Sequence, residues 1–171
     1  EWARHQRFAA LTKQARQQRA VLLFAHHQAD QAETVLMRLA RGSGIAGLAG
    51  MRGLTYRDAV PVARPLLNWS ADQLRDVLAL LGCDFEDDPS NRNYDFERVR
   101  LRRFLRKSAA CGFPTIATAQ RLGQAMAALS DRCAAVSTPI WEAATDLSPS
   151  GHAVIDMRRL QKLPDSMWQY H

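Results

Sequence analysis

"AVLLFAHHQADQAETVLMRLARGSGIAG", residues 20–47, decides how the fold is read. Its first six residues form a continuous apolar run too short for a typical helix. Such a run reads as a strand covered on both faces, as parallel strands in α/β proteins are. From about Ala29 to Ala40 the pattern turns helical, with Val35, Leu36 and Leu39 on an inner face. Gly42 stands where a C-terminal cap belongs. A buried strand leading into an amphipathic helix places the chain in the α/β class.

The same stretch offers three chemical readings. Gly42 to Gly47 spells G-x-G-x-x-G, but a dinucleotide fingerprint needs its glycines between a strand and the following helix. Here they follow a helix, so that reading fails. A metal site is the second reading: His26 and His27 end the strand, and Asp30 and Glu33 open the helix. Neighbouring strand residues point to opposite faces, so at most one histidine faces a given site and the other packs inside. A single carboxylate, Asp30, helping to hold Mg2+ on a phosphate is the form this reading retains. The third is a nucleotide or substrate site, because ligands of open parallel sheets bind beyond the carboxyl ends of the strands. Asp30 and Glu33, three apart, share a face in the first helical turn. The bland alternative stands beside it: acids at a helix N-terminus are stabilised by the macrodipole, by roughly 0.3 to 1 kcal/mol each.

Working outward, residues 2–18 suit a surface helix whose buried stripe is Trp2, Phe8, Leu11 and Ala15. Glycine-dense residues 42–54 read as loop. "DAVPVARPLL" reads as a short edge strand, interrupted by Pro61 and ended by Pro65. Ser70 is a good N-cap for a helix through Leu81 with Leu74, Val77, Leu78 and Leu81 inward. Beyond about Ser108, helical patterns alternate with Pro and Gly breaks. Of 23 basic residues 20 are arginine, in a chain of net charge +6. Arginine's planar fork suits phosphate and stacks on bases, which favours an RNA or nucleotide partner. The three cysteines, Cys83, Cys111 and Cys133, form no C-x-x-C and fit a reducing cytoplasm. No apolar run approaches a membrane span. The start at Glu1, inside an amphipathic pattern, reads as a fragment.

"AHHQADQAETVLMRLARGSGIAGLAGM", then "RPLL", then "DDPSN" with Arg98 and Arg102 resemble, in that order, the tRNA(Ile)-lysidine synthetases of the N-type ATP pyrophosphatases. The resemblance spans about residues 2–107. It implies a Rossmann-like parallel-sheet nucleotide-binding domain of the adenine nucleotide alpha hydrolase type over residues 1–107, followed by an α-helical domain for tRNA recognition over 108–171. It implies adenylation by ATP of the C2 oxygen of a wobble cytidine, then attack on C2 by the amine of L-lysine. That amine, with a free pKa near 10.4, must lose a proton, and neighbouring carboxylates can bind the ammonium and help. By resemblance, Asp30, Glu33 and His27 are catalytic, and Asp30, Glu33 and Arg98 bind lysine. His26, His27, Asp30, Arg41, Gly42, Ser43 and Gly44 line the ATP site, with Mg2+ at Asp30. Arg64, Asn91, Arg98, Arg102 and Arg106 face tRNA(Ile). A homodimer is an open expectation for the partner set, a membrane is not.

The sequence departs from that family in three places. Ala29 stands where the family has the first of two aspartates, and Val99 where it favours asparagine. No S-G-G-x-D-S loop, whose backbone amides cradle phosphates, occurs. These 171 residues alone are therefore expected not to adenylate RNA, and the apolar faces of "AVLLFA" are expected to lack cover. The rival class is a non-catalytic, arginine-rich RNA-binding module in which Asp30 and Glu33 only cap a helix; another PP-loop tRNA-modifying enzyme, a thiolating relative, ranks lower because Cys83 has no partner cysteine close by in the sequence. A solvated helix facing "DFEDD" is the plain alternative for the basic stretch Arg92 to Lys107.

Overall fold

The computed structural model describes residues 2–86, 97–111 and 115–161, apart from the side chains of residues 3, 4, 106, 109 and 110. Helix α1 (Trp2–Gln17) leads into strand β1 (Leu22–Leu23), then helices α2 (Gln28–Ala40) and α3 (Ile45–Leu48). Strands β2 (Leu54–Arg57) and β3 (Val60–Ala63) precede helices α4 (Ala71–Leu80), α5 (Glu97–Ala110) and α6 (Ile116–Ala144). Strands β4 (Thr145–Leu147) and β5 (Ala153–Ile155) and helix α7 (Met157–Leu160) complete the described part.

The sheet has three strands in the order β1-β3-β2, with β1 parallel to β3 and β2 antiparallel to it. Residues 42–54 are thus not all loop: α3 makes one turn there and β2 starts at Leu54. The hairpin turn is Asp58-Ala59, both at positive φ, 49° and 63°. Two consecutive left-handed residues give the tight turn whose twist matches a hairpin. The strand holding Pro61 is central rather than an edge. Pro61 lies opposite Tyr56, next to the hydrogen-bonded pair beside the turn, and such pairs alternate. Its nitrogen therefore faces away from β2, and β1 begins pairing only at Val62, so no ladder bond is lost. Cover on both faces of "AVLLFA" is not found: Val21 is 51% and Leu23 72% exposed.

The same thinness of the sheet explains α1. It leans on β1 and β3 and buries Thr12 and Ala15, while Phe8 is half-buried and Trp2 and Leu11 are exposed. Helix α4 starts at Ser70 as read, yet it buries no residue, and Val77 and Leu81 are exposed.

Helix α6 runs unbroken through Gly123 and Pro139, against the expectation of breaks. Gly123 is buried against α2 and α3, and a Cβ there would stand 2.8 Å from Val35 Cγ2. Close approach, not flexibility, is its use. Pro139 and Ala135, the residue whose carbonyl loses a donor, are both exposed, so water can serve that carbonyl. The expected boundary at 107/108 falls inside α5, and the α-helical end also contains the antiparallel pair β4-β5. Ala144 and Leu160 pack there with Ile140 and Trp141.

Candidate functional site

Helix α2 places the acidic pair. His27 is its N-cap: Nδ1 accepts from the Ala29 N–H at 3.1 Å, and Asp30 Oδ2 accepts from the His27 N–H at 3.0 Å. Two of the orphan donors of the first turn are thereby satisfied. His26 and His27 lie beyond β1 rather than on it, so strand alternation does not separate them. His26 stacks on Phe24 at 5.6 Å and lines a cleft, while His27 serves the helix end.

Arg102 reaches from α5 to both carboxylates. Its Nη2 donates to Asp30 Oδ1 at 3.0 Å and its Nε donates to Glu33 Oε1. Glu33 is fully buried, at 0% exposure, and its Oε2 is a buried atom with no hydrogen-bond partner. Burial pushes the Glu33 carboxyl above its ordinary value; the hydrogen bond and charge of Arg102 pull the other way, the Asp30 charge adds to the rise, and Arg98 opposes it. Glu33 is therefore more than a helix-dipole acid, whereas Asp30 does cap the helix and also pairs with Arg102.

Beside this pair opens a cleft of about 720 Å³, lined among others by His26, Arg38, Arg41, Arg57, Arg64 and Arg98. Among the described residues, Arg41 pairs with Glu97 at 3.0 Å, but Arg38, Arg57, Arg64 and Arg98 form no ion pair. Burial lowers the pKa of Arg64, whose Nη1 donates to Arg52 O and Thr55 Oγ1 and whose Nε is buried without a partner. Phe8 stacks on Phe24 at 4.9 Å, and the Arg57 guanidinium lies 4.6 Å over Phe8. A concave surface with surplus guanidinium and stacked rings suits a phosphate-bearing, ring-containing ligand.

The PP-loop domain, an ATP-binding family, matches residues 1–109. The chain belongs to the PP-loop family. Its matched part holds α1 to α4 and all but the last residue of α5, and with them both carboxylates, Arg102 and the whole lining of the cleft. It is 36% identical over 168 residues to the tRNA(Ile)-lysidine synthase of Ruegeria pomeroyi, covering 96% of this chain and 39% of that protein. To that of a Bradyrhizobium species (strain BTAi1) it is 47% identical over 133 residues, 75% of this chain and 37% of the relative. To that of Methylobacterium nodulans it is 37% identical over 169 residues, 98% and 50%. The chain thus spans at most about half the length of these relatives.

Within this PP-loop chain, Arg41 is the one of the remaining residues named from sequence that lines the cleft among the described residues. Arg41 is the C-cap of α2, and Gly42 follows at φ 69° with its N–H on Leu39 O, and Ser43 N–H reaches Arg38 O. These two bonds close the helix in a Schellman motif. Gly44 is the N-cap of α3. Asn91 and the side chain of Arg106 lie outside the described residues. Sequence reasoning missed Gln31, which clamps Met51 by donating to its O and accepting from its N–H, and Arg38, which holds Gly47 O and Gly50 O. It also missed Phe8, Phe24 and Arg57 as a column. Helical periodicity carries a partial signal for Gln31 and Arg38; the column has none, since its members come from separate segments. Among the described residues no group of three or more His, Cys, Asp or Glu is placed to hold a metal ion. Both Asp30 oxygens are engaged, so a cation there would compete with Arg102.

Proposed function

We propose that this chain carries the amino-acid side of a site that joins L-lysine to C2 of the wobble cytidine of tRNA(Ile), forming a carbon–nitrogen bond and giving lysidine. The observation that carries the reading is the pair Asp30 and Glu33, three residues apart on α2 and jointly holding one cationic side chain. Two carboxylates that share one cation are suited to hold a lysine ammonium. A buried carboxyl with a raised pKa is suited to take up its proton before attack. His27 fixes the helix end on which both stand, and Arg98 lines the adjoining cleft.

ATP, when bound, supplies the adenylyl group that turns the cytidine oxygen into a leaving group. His26, Arg41, Ser43 and the amides about Gly42 and Gly44 border the place for it. The described residues do not build a protein-held Mg2+ centre, so no step is assigned to one. The guanidinium surplus of Arg57, Arg64 and Arg98 is suited to tRNA phosphates, and Arg102, together with Asn91 and Arg106 on the strength of the sequence alone, completes the proposed tRNA contacts.

The test fuses residues 1–171 behind the N-terminal segment of one of the lysidine synthase relatives and measures ATP-dependent incorporation of labelled lysine into tRNA(Ile). Incorporation abolished by Glu33→Gln and Asp30→Asn, with folding kept, is the expected result. Incorporation that survives both changes overturns it. The cleft arginines without an ion pair favour a second reading, a non-catalytic RNA module. In that case tRNA binds with the usual salt slope, reduced by about one on Arg98→Ala, but no fusion protein incorporates lysine.

A further inference from the structure

We propose that Arg102 is a built-in surrogate for the substrate's ammonium, and that the amine binds by exchanging with it rather than by joining it. The proposal rests on the reading of Asp30 and Glu33 as an amine site and adds how that site stands when empty.

Three observations carry it. First, the oxygens are already allotted: Asp30 Oδ2 takes the His27 N–H, Asp30 Oδ1 takes Arg102 Nη2, and Glu33 Oε1 takes Arg102 Nε. A second cation beside Arg102 would find only Glu33 Oε2 and would meet the guanidinium at close range. Secondly, that Oε2 is buried and unpartnered on a residue at 0% exposure. A planar guanidinium presenting one edge to two different carboxylates cannot also reach it. A compact ammonium with three donors can address both Glu33 oxygens and Asp30. Thirdly, the local charge is two carboxylates against one bonded guanidinium, so one-for-one exchange of monovalent cations leaves the balance of the pocket unchanged.

Exchange has a consequence for α5. Arg102 and the Arg41–Glu97 pair are the ion pairs that tie α5 to α2 among the described residues. An amine that displaces Arg102 loosens one of them and frees a guanidinium on the helix that also bears Arg98. Arg102 would then belong to the carboxylates before the amine arrives and to a phosphate afterwards. It is a positioning residue, not one that reacts.

The probe is n-butylammonium, the lysine side-chain cation without its amino-acid head, with n-butanol as the neutral control. Affinity for the 171-residue chain is measured by calorimetry for wild type, Arg102→Gln and Arg102→Met. Exchange predicts at least tenfold tighter butylammonium binding in both variants, no change for butanol, and loss of the gain when Glu33→Gln is added. Equal or weaker binding in the variants overturns the proposal, since the amine would then sit beside Arg102 and use it. If a variant does not fold alone, butylammonium should restore a cooperative thermal transition that butanol does not; failure to do so also overturns it. A variant that binds butylammonium tightly but discriminates against lysine supports the exchange and tells against the lysine reading, so the two fail separately.

Discussion

Helices α2 and α4 both open with a reciprocal cap, His27 with Asp30 in one and Ser70 with Gln73 in the other, and both carry an amphipathic pattern. Yet α2 buries Gln31, Ala32, Glu33 and Val35, and α4 buries nothing. Each also has an aspartate paired with an arginine. Asp30 meets Arg102 from a distant helix in a mostly covered setting, whereas Asp72 meets Arg75 on the same helix in the open. Local sequence is enough to start either helix. What differs is that α3, α5 and α6 close over α2. A charge or a methyl group gains its energetic weight from that cover and not from the pattern of its own segment.

The largest expected effect that tests this contrast is at Arg102. Arg102→Ala leaves the buried Glu33 without its counter-charge and should cost about 3 kcal/mol near pH 8, read by urea unfolding. The loss should shrink in acid, where Glu33 takes a proton. The direction follows from burial: the folded state holds the Glu33 proton more tightly than the unfolded chain, whose ordinary value is 4.5. The contribution of Glu33 to stability is thus fully present below that value and is lost as pH rises through the raised folded value. Glu33→Gln should remove that part of the slope, so the stability of the variant relative to wild type rises from pH 4.5 towards neutrality. A parallel pair of pH–stability curves would contradict the raised carboxyl.

Next comes Val35→Ala, which removes two fully buried methyl groups and should cost about 2 kcal/mol. Gly123→Ala places a methyl 2.8 Å from Val35 Cγ2, so the double variant should be more stable than the sum of the single losses allows. Strict additivity would mean that α6 does not rest on Val35. A smaller effect belongs to the cap: Ser70→Ala should lower stability by about 1 kcal/mol, even though α4 is exposed, because the loss is local to the helix end. Smallest is Arg75→Ala, at less than about 0.5 kcal/mol, since its pair with Asp72 is solvated. If Arg75→Ala cost as much as Arg102→Ala, cover would not be what separates the two helices.

The same physics divides what was legible in the sequence from what was not. Ser70 and Gly42 act within a few residues of themselves, and their roles as N-cap and as the residue after the C-cap can be read from side-chain reach and from φ alone. Pro61 marks an edge only if its missing N–H is counted without the register, which turns that nitrogen away from β2. The Phe8–Phe24–His26 column joins residues of a helix, of the residue after a strand and of a loop, and no periodicity links them. In the candidate site, Asp30 and Glu33 are visible from sequence as a pair on one face. Their sharing of Arg102 joins positions about 70 apart, and only the packing of α5 on α2 brings that about.

By itself, the order of residues determined the caps that open α4 and close α2, that an apolar strand leads into an acidic helix, and that arginine dominates the charge. These follow from hydrogen bonds and rotamers within one or two turns. The tertiary structure alone decided that Glu33 loses its water, that Arg102 stands over it, and that four cleft arginines keep no ion pair among the described residues. Desolvation and charge pairing depend on distances through space, and those are set only when separate segments close on one another.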